Sequence, residues 1–135
     1  MKRRAFLATG SATLFGGCTA LVSGSGDYDV GMTSMAFEPE TLEVEVGTTV
    51  VWQNTNSRAH TVTAYQDAIP DGAAYFATGG FDSEAAAREQ WFQNGDGNLY
   101  GGDTFSYTVE VPGTYEYFCI PHESGGMAGT IEVTE

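Results

Sequence analysis

Two parts of the chain alternate apolar and polar residues with a period of two, the pattern of β-strands that bury one face. In the first, TLEVEVGTTVVWQN, the apolar side comprises Leu42, Val44, Val46, Val50 and Trp52, with a turn predicted at position 47. The segment AHTVTAY continues the pattern, with His60, Val62 and Ala64 on one side. This part of the chain therefore predicts strands around an apolar core.

The second alternating part lies near the C-terminus. In TFSYTVEV the apolar side comprises Phe105, Tyr107, Val109 and Val111, and GTIEVTE directs Ile131 and Val133 inward. Between them, YEYFC places Tyr115, Tyr117 and Cys119 on one face and Phe118 on the other. About seven to eight short strands separated by turn residues favour an all-β fold, a two-sheet antiparallel sandwich.

Residues 66–103 depart from this alternation and predict a surface insertion. One short helix is expected there, because Ser83 or Asp82 can cap it, Glu84 suits its positive end and alanines follow up to about Gln93.

The first residues, MKRRAFLATGSATLFGGC, are typical of an export signal. RRAFL is similar to the twin-arginine export pattern, and LFGGC to a lipobox, in which cleavage leaves a lipid-modified Cys18 at the new N-terminus. An ordinary signal with an incidental cysteine and a retained N-terminal anchor are the alternatives. We expect a signal over residues 1–17, a lipidated cysteine and flexible linker over 18–29, and one domain over 30–135, anchored to the outer face of the cell membrane.

Charge narrows the possible partners. The formal net charge is −13, and beyond Arg4 the only basic residues are Arg58 and Arg88, against eighteen acidic ones. Phosphates would be repelled, so nucleic acid is excluded as a partner. Two explanations remain, steering toward a basic partner and solubility in high salt, and the even spread of the acids favours high salt.

Cysteine and histidine usage points to a metal. The chain has two cysteines and two histidines, so a lipidated Cys18 leaves Cys119 unpaired in an exported domain. His122 and Met127 follow Cys119 closely, and His60 lies on a predicted buried face. Two imidazoles, one thiolate and one thioether suit copper that cycles between Cu(I) and Cu(II).

Each of these residues also has an ordinary structural explanation. A lone buried cysteine is usually inert, a single histidine on a strand is usually a core residue, and a methionine usually packs. Their conjunction in one chain favours copper. Zinc suits the set less well, because methionine is a poor zinc ligand.

YFCIPHESGGM has the cysteine, histidine and methionine spacing of the plastocyanin-like blue copper proteins, or cupredoxins, and NTNSRAHTV resembles their upstream histidine segment. The acidic composition, the leader and AHTVTAY resemble the halocyanins of haloarchaea within that group. The resemblance implies a cupredoxin-like Greek-key sandwich and a type 1 copper site whose ligands are His60, Cys119, His122 and Met127.

The resemblance further implies a monomeric electron carrier, not an enzyme, whose redox partners are a cytochrome complex or a terminal oxidase. Electrons would leave at the His122 edge through an apolar patch of Met35, Phe37, Ile120, Pro121, Gly125 and Gly126. Plant plastocyanins have a tyrosine before the cysteine and an asparagine after the first histidine. Phe118 and Thr61 stand there in this chain, which leaves a second electron exit and the asparagine's role open.

Other functions of copper proteins and of this fold match the residues less well. Copper oxidases and nitrite reductases need more histidines than this chain has, and a binuclear centre needs a second nearby cysteine. A non-redox copper carrier and a metal-free adhesive sandwich share the fold. A carrier, however, would need exposed, exchangeable ligands.

Overall fold

A computed structural model describes residues 27–135 of the chain. Cys18 and the predicted signal peptide lie outside the described residues, as does most of the predicted linker. Within residues 27–135, no helix combines the length and the apolar character needed to cross a membrane.

The described residues form eight strands in two four-stranded sheets. The strands are β1 (Val30–Met32), β2 (Phe37–Glu38), β3 (Thr41–Glu45), β4 (Thr49–Asn54), β5 (Thr63–Ala64), β6 (Thr104–Thr108), β7 (Gly113–Phe118) and β8 (Ala128–Thr134). Sheet I has the order β3-β8-β7-β5, and sheet II has the order β2-β1-β4-β6. The predicted sandwich of seven to eight strands is therefore confirmed.

Two of the six strand pairings are parallel, whereas the sequence predicted antiparallel pairing throughout. β3 pairs in parallel with β8, and β1 pairs in parallel with β4. In both cases the chain contributes at least one strand to the other sheet before it forms the second strand of the pair. The second strand then runs in the same direction as the first. The remaining pairings are antiparallel.

The core lies between the sheets and is centred on Trp52, which is fully buried. Its indole lies 5.4 Å from the ring of Tyr117 and 5.6 Å from that of Phe105, centroid to centroid. Alternation correctly predicted most inward residues, including Val50 and Ile131. Val46 is an exception at 38% exposure, because β3 ends before it and it lies in the turn that leads to β4.

The insertion, residues 66–103, contains a 3-10 turn (Gln66–Ala68) and the helix α1 (Glu84–Asn94). The Ser83 hydroxyl accepts a hydrogen bond from the Ala86 N–H at 3.1 Å, which confirms the predicted N-cap. Gly95 ends the helix in the left-handed region at φ 72°. The insertion is more than a surface feature, because Phe76 and Leu99 from it are buried in the core.

Candidate metal centre

Three of the four predicted ligands converge at one end of the sandwich. Cys119 directly follows β7, and His122 lies in a 3-10 turn (Ile120–Gly125) that begins at the next residue. The sequence predicted that His60 begins a strand, but His60 lies outside the strands. It is fixed by a two-hydrogen-bond bridge to Leu99 of the insertion, at 3.1 and 2.7 Å.

The donor atoms of these three residues form a nearly regular triangle. The Nδ1 atoms of His60 and His122 are 3.2 Å apart, and the Cys119 Sγ lies 3.7 Å from the first and 3.4 Å from the second. A point equidistant from the three atoms lies about 2.0 Å from each, within about 0.3 Å of the nitrogen and thiolate bond lengths found for zinc in proteins. The triangle therefore fits a metal ion of this size, and the soft donor set fits copper.

Met127 closes the loop that follows Cys119. Its N–H donates to the His122 carbonyl at 3.2 Å, and its own carbonyl accepts from the Cys119 N–H at 3.0 Å. The side chain is fully buried in the same cluster as Cys119. Residues 120–127, the copper loop, are thus closed by hydrogen bonds that join Met127 to His122 and to Cys119, the residue before the loop.

Burial sets the protonation state of the donors. Desolvation, with help from His122 and Arg58, lowers the pKa of His60 to about 4, and burial also lowers the pKa of His122. Both imidazoles are therefore neutral at pH 7 and have a free nitrogen lone pair. Burial raises the pKa of the Cys119 thiol, so copper binding releases its proton.

Thr61 links the two ligand-bearing segments. Its hydroxyl accepts a hydrogen bond from the Ile120 N–H at 2.8 Å, and its own N–H donates to the Cys119 Sγ at 3.4 Å. Thr61 therefore joins the His60 segment to the start of the copper loop. The sequence alone left the role of this residue open. An N–H that points at the sulfur also favours the thiolate form.

Asn54 is a site residue that sequence reasoning missed. It is fully buried, and its side-chain amide donates to the carbonyls of Arg58 and Leu99 at 2.7 and 2.8 Å. These bonds hold the loop before His60 against the insertion. The signal was available, because Asn54 continues the buried period of Val50 and Trp52 and a buried amide needs partners.

Phe118 is buried, although it points away from the core. The Tyr65 ring stacks on one side of it at 4.3 Å, and the Arg88 guanidinium carbon lies 4.3 Å from its centroid. Sequence alternation placed Phe118 on the outer face but could not show that the insertion covers it.

Of the residues predicted to form the apolar patch, Phe37 is not at the surface. That ring is 2% exposed and packs edge-on against Tyr117 at 4.7 Å, so it belongs to the core. Met35 is 42% exposed, and a Cβ at Gly125 would lie 2.5 Å from its terminal methyl carbon. Gly125 therefore lets the Met35 side chain lie directly against the copper loop.

The sequence profile described as "Copper binding proteins, plastocyanin/azurin family" matches residues 25–134. The chain belongs to the plastocyanin/azurin family of copper-binding proteins. Plastocyanin from Scenedesmus fuscus is 32% identical over 100 residues, which are 74% of this chain and 88% of that protein. A chloroplastic plastocyanin from Fritillaria agrestis is 37% identical over 101 residues, 74% of this chain and 53% of that protein.

Solved structures agree with this membership of the plastocyanin/azurin family. A pseudoazurin from Sinorhizobium meliltoi superimposes with a TM-score of 0.59 at 26% identity, and the match covers 80% of this chain and 73% of that one. Amicyanin from Paracoccus versutus gives a TM-score of 0.54 at 25% identity, over 80% and 82% of the two chains.

The family and the converging donors together identify the centre as a type 1 copper site formed by His60, Cys119, His122 and Met127. Plastocyanin-like cupredoxins are blue copper electron carriers, generally not enzymes. The chain spans most of the plastocyanin from Scenedesmus fuscus but only about half of several chloroplastic relatives, including those from Hordeum vulgare and Fritillaria agrestis.

Proposed function

We propose that this protein carries single electrons between membrane-associated redox partners, as a halocyanin-like member of the family. The observation that carries the proposal is the triangle of His60, Cys119 and His122 donors. Bound copper supplies a one-electron couple between Cu(I) and Cu(II).

The chain's own residues keep this site rigid and dry. Cys119, His60 and Met127 are fully buried, and Thr61 and Asn54 tie their segments together through hydrogen bonds to the backbone. Ligands that are held by the fold cannot rearrange much when the charge on the metal changes. A small rearrangement lowers the barrier to electron transfer, which suits a carrier better than a transporter that must release its ion.

Electrons would enter and leave through His122. Its imidazole is half-buried, and the neighbouring Gly125, Gly126 and Met35 are exposed. The alternative route through Phe118 is covered by Tyr65 and Arg88. A redox partner, for which we propose a cytochrome complex or a terminal oxidase, would dock on the apolar patch around His122. Such contacts are small and short-lived, which allows rapid turnover.

We further propose that the protein acts as an exported monomer whose lipid anchor on Cys18 holds it at the outer face of the membrane. The leader motifs RRAFL and LFGGC and the Gly/Ser-containing segment after Cys18 support this placement.

The function is tested by loading the protein with Cu(II) and recording its visible spectrum and voltammogram. We expect an intense blue band from thiolate-to-copper charge transfer and a reversible one-electron wave. Cys119→Ser is the variant expected to lose the band. A colourless Cu(II) form without a voltammetric wave would refute the carrier and favour the non-redox copper-binding alternative.

The anchor needs a separate measurement. Cys18→Ser is expected to move the protein from the membrane fraction to the soluble fraction of its host while the blue band is unchanged. Unchanged membrane attachment of this variant would disprove lipidation at Cys18.

A further inference from the structure

One charged network connects the insertion to the copper loop. Arg88 of α1 makes a forked ion pair with Glu123, whose carboxylate oxygens lie 2.8 and 3.1 Å from the two terminal guanidinium nitrogens. Glu123 directly follows the ligand His122. An ion pair therefore connects the helix to the middle of the copper loop, which carries the ligands His122 and Met127.

Every nitrogen of the Arg88 guanidinium has an acceptor. Its Nε donates to Glu84 at 2.9 Å, and Glu84 in turn accepts from the Gln66 N–H at 2.9 Å and donates its own N–H to the Gln66 side chain at 3.1 Å. The network thus runs from the first turn of the insertion through α1 to the copper loop.

The aromatic contacts reinforce the same connection. Tyr65 donates its hydroxyl hydrogen to Glu123 at 2.8 Å while its ring stacks on Phe118, and the Arg88 guanidinium carbon also lies 4.3 Å from the centroid of the Phe118 ring. Phe118 immediately precedes Cys119. Arg88 of the insertion therefore contacts the metal-binding segment on both sides of Cys119, at Phe118 and at Glu123.

An isolated ion pair at this position would contribute little, because Arg88 is 38% and Glu123 is 33% exposed. A bidentate pair inside a network, with the guanidinium stacked on an aromatic ring, is the recognised exception. Arg88 is also one of only two basic residues beyond Arg4, among eighteen acids. Solubility in high salt does not require this particular arginine, whereas a specific contact does.

We propose that Arg88 is a positioning residue for the copper site, and that through Glu123 and Phe118 it holds the copper loop closed and slows release of the metal. The inference rests on the proposed copper function. Arg88 itself does not touch the donor atoms, so its effect must pass through the loop.

The test compares Arg88→Gln with Arg58→Gln. Each removes one positive charge, but Arg58 is exposed and makes no side-chain hydrogen bond or ion pair in the described residues. We expect Arg88→Gln to release copper to an excess of chelator about tenfold faster than the unmodified protein, the lower end of the range for residues that support metal ligands. Arg58→Gln should release it no faster, because removing a positive charge near the site does not weaken the binding of a cation. Equal acceleration in both variants would mean a general charge effect and overturn the proposal.

Glu123→Gln and the double variant with Arg88→Gln test the coupling. If the two residues act as one contact, the double variant releases copper no faster than either single variant. If the acceleration of copper release in the double variant equals the product of the two single accelerations, the two residues act independently and the shared contact is contradicted. Arg88→Lys, which keeps the charge but lacks the fork, should recover only part of the slow release.

A second readout needs no copper. In the copper-free protein, Arg88→Gln is expected to accelerate amide hydrogen exchange at Gly126 and Met127, whose N–H groups close the loop, without accelerating exchange at Val50 in the core. Unchanged exchange in the loop, or equal acceleration in the core, would overturn the proposal. This readout separates failure of the proposed function from failure of the Arg88 proposal. A protein that binds no copper would refute the proposed function, and its hydrogen exchange would still test the contact between Arg88 and the loop.

Discussion

The copper loop and the insertion border the same metal centre but contribute to it differently. The copper loop supplies donor atoms, and it lies between two paired strands, because Phe118 is opposite Ala128 in the β7–β8 register. The insertion supplies no donor atom. It supplies the backbone of Leu99 that fixes His60, and the Arg88 side chain that reaches Glu123. A site of four ligands thus depends on a second segment that never touches the metal.

Matched substitutions in the two segments sharpen this comparison. The largest effect is expected for Met127→Ala, because the side chain is fully buried beside Cys119. Removing a buried methionine side chain costs about 2–5 kcal/mol in the free energy of unfolding. Urea unfolding of the copper-free protein measures it. Met127→Leu, which keeps the volume, should cost less than about 1.5 kcal/mol there. A similar loss for both variants would show that volume is not what matters.

A smaller effect is expected for Thr61→Val. The change keeps the shape but removes the acceptor of the Ile120 N–H. This bond is partly buried, so we expect a cost of about 1–2 kcal/mol in the free energy of unfolding. The same unfolding measurement applies, and Thr61→Ser, which keeps the hydroxyl, is the control. If valine were as stable as serine, the link between the His60 segment and the copper loop would have no energetic weight.

Within the insertion, Ser83→Ala should destabilise by about 1 kcal/mol, since it removes the acceptor at the start of α1. Thermal unfolding followed by circular dichroism would detect this loss, and Ser83→Asp should largely restore the stability. A loss confined to the helical signal would mean that α1 unfolds independently of the sandwich.

The smallest effect is expected for Phe92→Ser, also in α1. The ring is 84% exposed, and surface substitutions of this kind usually change stability by less than about 0.5 kcal/mol. The urea midpoint should therefore stay close to that of the unmodified protein. A clear loss would show that the outer face of the insertion is covered in solution.

The sequence predicted the donor residues better than the residues that hold them. His60, Cys119, His122 and Met127 were predictable because their types are rare and chemically specific, and alternation predicted most of the core. Arg88 and Glu123 carry no such signature, since a charge run on a helix is usually solvated. Their contact depends on how far the insertion folds back, and sequence patterning does not encode that distance.

The strand pairings show the same limit. Period-two alternation shows which residues point inward, but it does not show which strand lies beside which. The parallel pairs β1–β4 and β3–β8 come from the route of the chain between the sheets. The predicted inward position of Val46 was wrong for a related reason. A strand can end in a turn while the apolar and polar residues of the sequence continue to alternate.

The contact between His60 and Cys119 has one further consequence, which concerns the unfolded chain. These residues are 59 positions apart in sequence, and bound copper would link them as a reversible cross-link. Because the unfolded chain does not hold these donors together, copper that binds only the folded state stabilises it by an amount that rises with the free copper concentration. Copper would then be a reversible source of stability for a domain whose described residues contain a single, free cysteine.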